Sequence, residues 1–163
     1  MKVENVFDIY QNSSLGALLL NEFVISYERI NKDKRSPRME RVLPVLPILF
    51  TKDIVTSAKG RSNNIKGFYN VLEDNKLLFD IIPLKTRNMF DKTMFSLLIC
   101  IKANLLDIDF SSNIISSNID SPKQKFSPPS IEIGDLVRTA RKLGGWFSNL
   151  SDVEFLMYLN LDI

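Results

Sequence analysis

The sequence contains no histidine. This absence excludes Ser-His-Asp and Cys-His catalysis, every zinc site with a histidine ligand, and the most common general base at neutral pH. Carboxylate and lysine chemistry remain open, but many enzyme classes are already removed. We therefore expect a protein that is not an enzyme.

Cysteine and long apolar runs are also scarce. Cys100 is the only cysteine among 163 residues, so no disulfide can form within the chain, which suits a reducing compartment. No apolar run approaches the roughly 20 residues of a membrane-spanning helix. The opening residues MKVENVFDIY place acidic side chains where a signal peptide has its apolar stretch. These features predict a cytoplasmic protein without membrane contact.

Motifs for nucleotides and metals are missing as well. The 6 glycines never approach the spacing of a phosphate-binding loop. A net charge of +2 is too small to indicate nucleic-acid binding by itself. Asp107 and Asp109 have a spacing that Mg²⁺ sites use, but acidic residues on the solvent side of an edge strand are ordinary. We expect no catalytic residue, no metal and no cofactor.

The apolar residues predict a single, mainly helical domain over residues 1–163. They make up 45% of the chain, which suits a globular protein. Apolar steps of three and four predict helices at about 14–31, 64–74 and 92–104. Ser13 or Ser14 is the expected N-cap of the first helix. Residues 1–12 are expected to form an N-terminal arm.

Proline shapes two further segments. Residues 42–58 are apolar but contain Pro44 and Pro47, which exclude a central strand. Either a short buried helix begins near one of these prolines, or an extended segment leads into a helix at about 52; we favour helix. Residues 76–90 also carry helical periodicity, and this helix should bend or break at Pro83.

A short hairpin is expected after the three consecutive helices predicted at 64–74, 76–90 and 92–104. Leu106–Phe110 alternates apolar and acidic residues, which predicts a strand. The composition of 111–125 predicts a flexible Ser/Asn-rich loop, and Lys125–Ser127 is a candidate return strand. Three helices followed by a hairpin is the order of a winged-helix domain. The predicted fold class is mainly α: a compact helical domain with a winged-helix-like core and one short β-hairpin.

The last segment, 131–163, predicts a pair of helices. Gly144 and Gly145 interrupt an apolar stripe and should each weaken the helix by about 1 kcal/mol, so they indicate close contact with another backbone. Gly16, in the first turn of the first helix, also indicates a close contact. A capping box of Ser151 and Glu154 predicts the start of the last helix. A tail with so many apolar residues must be buried, either in its own core or in a partner.

The tail also supplies candidate partner-binding residues. Aromatic side chains packed in desolvated pockets are typical interface hot spots, and Trp146 is the chain's only tryptophan. The predicted partner-binding set is Gly144, Gly145, Trp146, Phe147, Phe155, Leu156 and Leu159.

A basic loop is predicted at 29–41, where Pro37 interrupts the helix periodicity. A solvated linker between helices is one interpretation, and an acidic protein partner is another. A third is contact with DNA, because clustered Lys and Arg give sequence-independent affinity for phosphates. The possible DNA-contacting residues are Arg29, Lys32, Lys34, Arg35, Arg38 and Arg41.

Three segments of the chain together resemble a known family. They are Asn12–Ala17 at the start of the first helix, Leu43–Asp53, and the Leu143–Phe147 segment of the tail. Their order and spacing resemble the middle component of bacterial three-component ABC systems. The sequence departs from that pattern at Gly145, where an arginine is usual, and in the Ser/Asn-rich insertion that follows Phe110.

The resemblance implies a small, non-enzymatic subunit that acts between an effector and an ABC ATPase of the SMC or Rad50 type. Lamassu anti-phage systems contain such a subunit. Its implied partners are the ATPase and the effector, often a nuclease, with possible non-specific DNA contact within the complex. The residues themselves leave a second hypothesis open: a winged-helix DNA-binding protein or transcriptional regulator.

Overall fold

The structure is a computed structural model that describes residues 12–31, 33, 35–118 and 127–161. The predicted arm at 1–12 lies outside the described residues except for Asn12. The helices are α1 (Ser13–Ile30), α2 (Met39–Val42), α3 (Val45–Leu49), α4 (Lys52–Lys59), α5 (Ile65–Asp74), α6 (Lys76–Asp80), α7 (Ile82–Asn88), α8 (Phe90–Lys102), α9 (Ile131–Ser148) and α10 (Asp152–Leu159). The strands are β1 (Leu106–Asp109) and β2 (Ile114–Ser117).

This architecture confirms the predicted class, a mainly helical chain with one short antiparallel hairpin. The expected helix order before the hairpin is also present, while the winged-helix assignment stays a prediction. Among the described residues, no helix is both long enough and apolar enough to cross a membrane.

Two long helices, α1 and α9, form the centre of the fold. Gly144 of α9 explains how close they come. A Cβ atom at Gly144 would lie only 2.5 Å from the carbonyl oxygen of Phe23 and 2.9 Å from the amide nitrogen of Tyr27, both in α1. The predicted close backbone approach is confirmed. Gly145 lies against a side chain instead: a Cβ atom at Gly145 would be 2.8 Å from the Cδ1 methyl group of Ile30.

Helix α1 also packs closely against α8. A Cβ atom at Gly16 would clash with Oγ of Ser96, which confirms the close contact predicted there. Nearby, the Cys100 thiol donates a hydrogen bond to the carbonyl oxygen of Ala17 at 3.1 Å. Burial raises the pKa of Cys100 to about 12, so this cysteine is a protonated packing residue between the two helices.

Local polar residues fix the helix starts. Asn12, rather than Ser13 or Ser14, caps α1: its side chain accepts from the Ser14 amide at 2.8 Å. Asn12 precedes the helix and has an extended backbone, which lets its side chain fold back on the first turn. The predicted capping box at Ser151 and Glu154 is confirmed at the start of α10.

Proline is placed where a helix tolerates it. Pro44 precedes α3 and Pro47 lies in its first turn, where an N–H has no helical partner in any case. The expected helix in this segment is confirmed as several short helices. Pro83 is the second residue of α7, so the chain breaks at Ile81, two residues earlier than the proline itself.

The hairpin differs from the prediction in its second strand. Leu106 lies opposite Ser117, and Asp109 lies opposite Ile114, so β2 occupies part of the stretch predicted to be a flexible loop. Most of the expected return strand at 125–127 lies outside the described residues, and Ser127 is not in a strand. Ile114 and Ile115 form β2 because Ile115 is fully buried against the core.

The hairpin turn explains Asp109. Its carboxylate accepts hydrogen bonds from the hydroxyl groups of Ser111 and Ser112, both at 2.7 Å. These bonds lower the pKa of Asp109 to about 2. Asn113 completes the turn with a left-handed backbone, φ 58°, which asparagine tolerates. Asp109 therefore stabilises the turn as a carboxylate.

The residues just before α2, which belong to the predicted loop at 29–41, pair with the hairpin. Ile115 donates to the carbonyl oxygen of Pro37 at 2.9 Å, and Met39 donates to that of Asn113 at 2.8 Å. Glu28 of α1 accepts from the Ser117 amide at 2.9 Å. Non-local hydrogen bonds thus hold this segment against the hairpin.

Candidate partner-binding surface

The predicted partner-binding residues of the tail form the aromatic core of the molecule. Trp146 is only 1% exposed, and its indole N–H donates to the carbonyl oxygen of Ser62 at 3.3 Å. Phe68 of α5 lies between the tail aromatics, with its ring centroid 5.7 Å from Trp146 and 5.8 Å from Phe147. Phe155 of α10 packs edge-on against Phe147 at 5.1 Å.

This packing corrects the expected role of the set. Gly144, Gly145, Trp146, Phe147, Phe155 and Leu159 are all buried, and Leu156 is half-buried. A partner cannot touch the six buried residues in this conformation, because the chain's own helices cover them. These six residues of the tail lie in the chain's own core, which is one of the two outcomes predicted for the tail, whereas Val153 and Met157 of the same segment stay exposed.

Arg41 is also a structural residue. Its buried guanidinium donates to the carbonyl oxygen of Phe147 at 2.5 Å and to Asp152 at 2.7 Å. It also lies 5.1 Å from the ring centroid of Phe155, a cation–π distance. The prediction that Arg41 contacts DNA is therefore wrong in this fold, since its donors are directed into the protein.

The rest of the predicted DNA-contacting set divides in two. Arg29, Arg35 and Arg38 are exposed. Lys32 and Lys34 lie outside the described residues. The described part of this set therefore has three exposed arginines, fewer than the sequence indicated; Arg38 pairs with Ile114 of the hairpin, and Arg35 lies 4.0 Å from the Asp33 carboxylate.

A concave surface, which we call the groove, lies between α5, α6 and α10 and has a volume of about 460 Å³. The apolar side chains that line it are Leu72, Phe79 and Met157, with the rings of Tyr69 and Tyr158. Met157 is 67% exposed. Solvent therefore reaches an apolar, aromatic surface, which in protein interfaces is the composition of the buried centre.

Tyr69 and Tyr158 link two walls of the groove. Their ring centroids lie 5.6 Å apart, and Tyr158 also packs edge-on against Phe68 at 6.4 Å. Burial, Tyr158 and the negative charge of Glu154 together raise the pKa of Tyr69. The tyrosine pair is thus anchored to the aromatic core from below and lies close to a carboxylate.

The rim of the groove is polar. Glu73, Lys76, Asp80 and Asn160 line it. Asn160 has a left-handed backbone, φ 51°, at the end of α10, and its amide donates to Asp80 at 3.3 Å. This bond joins the end of α10 to α6 across the groove.

An exposed apolar stripe lies beside the groove on α6 and α7. It consists of Leu77, Ile81 and Leu84, and Leu77 is 82% exposed. The steps of four and three are the spacing of one helix side, although α6 ends at Asp80 and α7 begins at Ile82. In the sequence Leu77 follows Lys76 of the rim, so the stripe begins next to a residue that lines the groove.

The groove is not predicted by the sequence. Helical spacing predicts that Phe68 and Leu72 point inward, and Phe68 is fully buried, whereas Leu72 is only partly covered. The available signal is the spacing of Leu77, Ile81 and Leu84. Periodicity shows that they share a side of a helix, but it does not show whether that side is covered.

No group of three or more metal-ligating side chains occurs among the residues that the structure describes. The fold and the groove define a small, mainly helical protein with an apolar concavity that is open to solvent. Residues 1–161 match the family model of the ABC-three component (ABC-3C) system Middle Component 3. The chain belongs to this family. No curated protein and no solved structure matches it.

Proposed function

We propose that this chain is a non-enzymatic adaptor subunit that binds the ABC ATPase of its system and couples it to an effector. Membership of the middle-component family supports a partnership with the other components. The resemblance drawn from the sequence suggests an SMC or Rad50-type ATPase and a nuclease effector. The absence of histidine from the whole sequence agrees with a subunit that performs no chemistry.

The observation that carries the proposal is the uncovered apolar surface of the groove and the adjoining stripe. Monomeric proteins rarely leave large contiguous apolar patches in water, and such patches mark interaction sites. Trp146 and Phe147 are already buried in the chain's own core, so they offer no surface to a partner in this conformation. The partner-binding role thus moves from the tail's buried face to the outer surface of α5, α6, α7 and α10.

The mechanism is a linkage between binding and the state of the ATPase. An adaptor that contacts two ATPase conformations unequally shifts the equilibrium between them by its difference in affinity. By the resemblance, the adaptor keeps the effector silent until foreign DNA is sensed. Coupling energies of this kind correspond to roughly 5- to 150-fold changes in affinity, which is enough to switch a complex between two states.

Co-expression with the ATPase and the effector tests the proposal. We expect a complex of defined mass by size-exclusion chromatography with light scattering. We also expect an affinity for the ATPase that differs between its ATP-bound and ADP-bound states by about tenfold. A chain that stays monomeric beside both proteins would overturn the adaptor function. Anti-phage or anti-plasmid defence is tested separately, by phage plating and plasmid retention with and without this component.

DNA contact within the complex is the second candidate function. The exposed side chains of Arg29, Arg35 and Arg38 beside the hairpin favour it, because clustered arginines attract phosphates without regard to sequence. A winged-helix regulator that acts alone would need base contacts from one helix face. A salt titration of DNA binding by the purified chain separates these two forms of the hypothesis.

A further inference from the structure

We propose that the groove binds a basic segment of a partner protein, one that places apolar side chains on the groove floor and an arginine or lysine at its rim. This inference rests on the adaptor function proposed above and names the chemistry of the segment. The size, the charge and the aromatic surface of the groove each support it.

The size of the groove suits a few side chains. Its volume of about 460 Å³ falls within the range of roughly 300–1,000 Å³ that is typical of clefts for small ligands. A whole helix does not enter a cleft of this size, but several side chains from one face of a segment do. Leu72, Phe79 and Met157 offer them an apolar floor.

The charge at the groove is opposite to that of the chain. The whole chain carries a net charge of +2, whereas the rim brings Glu73 and Asp80 together with a single cation, Lys76. Glu154 adds a third carboxylate close enough to act on Tyr69. A local excess of negative charge on a slightly basic protein favours a basic ligand and repels nucleic acid.

The rim carboxylates retain capacity to accept hydrogen bonds. Within the described part of the chain, neither Glu73 nor Lys76 forms an ion pair within 4.0 Å, and the carboxylate of Glu73 accepts no hydrogen bond. Asp80 accepts only from Asn160 there, at 3.3 Å. Because an ionised carboxylate has about four lone-pair sites, both acids can accept a bidentate arginine or an ammonium group.

The exposed tyrosine gives the cation a second contact. Tyr69 is 38% exposed and is held in position by Tyr158, with 5.6 Å between the ring centroids. A guanidinium stacks well on such a ring while it bonds a neighbouring carboxylate. Arginine is therefore the side chain that satisfies both features of the rim.

The test uses the ATPase and the effector of the same system as immobilised probes and measures the affinity of the chain for each. Glu73→Lys reverses one rim charge where no bonded partner is lost, and a Glu73→Lys/Asp80→Lys double variant reverses both. Asp53→Lys/Asp107→Lys is the matched control, since both carboxylates are exposed and lie away from the groove. We expect the rim variants to weaken binding of one probe by at least about tenfold and the control to leave it unchanged.

A second pair of variants tests the floor. Met157→Ser removes apolar surface from the groove without adding a charge, and Val153→Ser makes a similar change on the same helix outside it; both native residues are 67% exposed. Of these two variants, only Met157→Ser should weaken binding. The native affinity should also fall between about 0.05 and 0.5 M salt, with a smaller fall for the double rim variant. Circular dichroism and urea unfolding verify that each variant is folded.

The outcomes separate the two proposals. If the native chain binds a probe and the rim variants bind as well as the control, the basic segment is excluded while the adaptor function stands. If Met157→Ser weakens binding and the rim variants do not, the occupant is apolar and uncharged, which also overturns the inference. If the native chain binds neither probe, the adaptor function fails and the inference fails with it.

Discussion

Arg41 and Asp152 connect segments that are 111 residues apart in the chain, with 2.7 Å between the guanidinium nitrogen and the carboxylate oxygen. The same guanidinium donates to the carbonyl oxygen of Phe147 at the end of α9. Arg41 thus fixes α2 to the end of one tail helix and to the start of the next. Since α10 forms one wall of the groove, the position of that wall depends on Arg41.

Replacing Arg41 should therefore destabilise the fold. Arg41→Ala leaves the Phe147 carbonyl without its buried donor, and an unsatisfied buried group costs about 1–3 kcal/mol. We expect a loss of about 2 kcal/mol in the free energy of unfolding, measured by urea denaturation. Arg38→Ala, at an exposed position nearby, is the control and should change stability little. Equal effects from the two variants would contradict this role for Arg41.

The same pair predicts a dependence of stability on pH. The hydrogen bond from Arg41 lowers the pKa of Asp152 below the usual range of an aspartate. A carboxylate with a lowered folded-state pKa stabilises the fold at pH values above the unfolded pKa. This contribution is lost as the pH falls from the unfolded pKa of about 3.9 through the lower folded value.

Asp152→Asn should remove that part of the acid sensitivity. The native chain should lose more unfolding free energy than the variant between about pH 5 and pH 2, measured by urea denaturation across this range. Asp53→Asn, at an exposed position of α4, serves as the control for removal of a charge. Parallel pH profiles for the native chain and Asp152→Asn would show that the pair contributes nothing.

Gly144 should be intolerant of even one methyl group. A Cβ there would lie 2.5 Å from the Phe23 carbonyl oxygen, so α1 and α9 must separate to admit it. The helix-propensity gain of about 1 kcal/mol for Gly→Ala is opposed by an overpacking cost of about 1–3 kcal/mol. We expect Gly144→Ala to lower the midpoint of thermal unfolding. Gly60→Ala is the control, because no atom lies within 4 Å of a Cβ at Gly60.

Gly144 and the capping box of α10 show what local sequence can predict. The close contact at Gly144 is predictable because a glycine inside an apolar helical stripe weakens its helix, and a close backbone approach offsets that cost. The capping box at Ser151 and Glu154 is predictable because both partners lie within one helical turn. These features depend on neighbours in the sequence.

Other features depend on residues that are distant in the sequence. The basic cluster predicts Arg41 on the surface, but its acceptor at Phe147 is 106 residues away. Strand β2 forms because Ile115 donates a hydrogen bond to Pro37 and packs into the core. The amino-acid composition of the segment shows neither of these contacts. The groove joins Tyr69 of α5 to Met157 of α10, two helices that are far apart in the sequence.

Trp146 is predicted to be a stability residue. Its side chain is fully enclosed by α5 and the rest of α9, so Trp146→Ala should cost about 3–5 kcal/mol in the free energy of unfolding. The measurement is urea denaturation monitored by far-UV circular dichroism, which does not depend on the lost indole fluorescence. Met157→Ala, at an exposed position, should cost far less. A folded, stable Trp146→Ala that fails only to bind the ATPase would restore Trp146 as an interface residue.

Charge reversal of the exposed arginines tests DNA contact. In Arg29→Glu/Arg35→Glu/Arg38→Glu, the three side chains that face solvent beside the hairpin repel phosphates instead of attracting them. Each lost phosphate contact should reduce the slope of log affinity against log salt by about 0.9. We expect the assembled complex to lose affinity for duplexes of unrelated sequence to the same extent, measured by fluorescence anisotropy.

Lys52→Glu/Lys66→Glu/Lys102→Glu is the control, because it makes the same change in charge at other exposed positions. This control should retain more of the affinity for DNA. If the two triple variants weaken binding equally, the arginines act only through the net charge of the protein, and no DNA-binding site exists beside the hairpin.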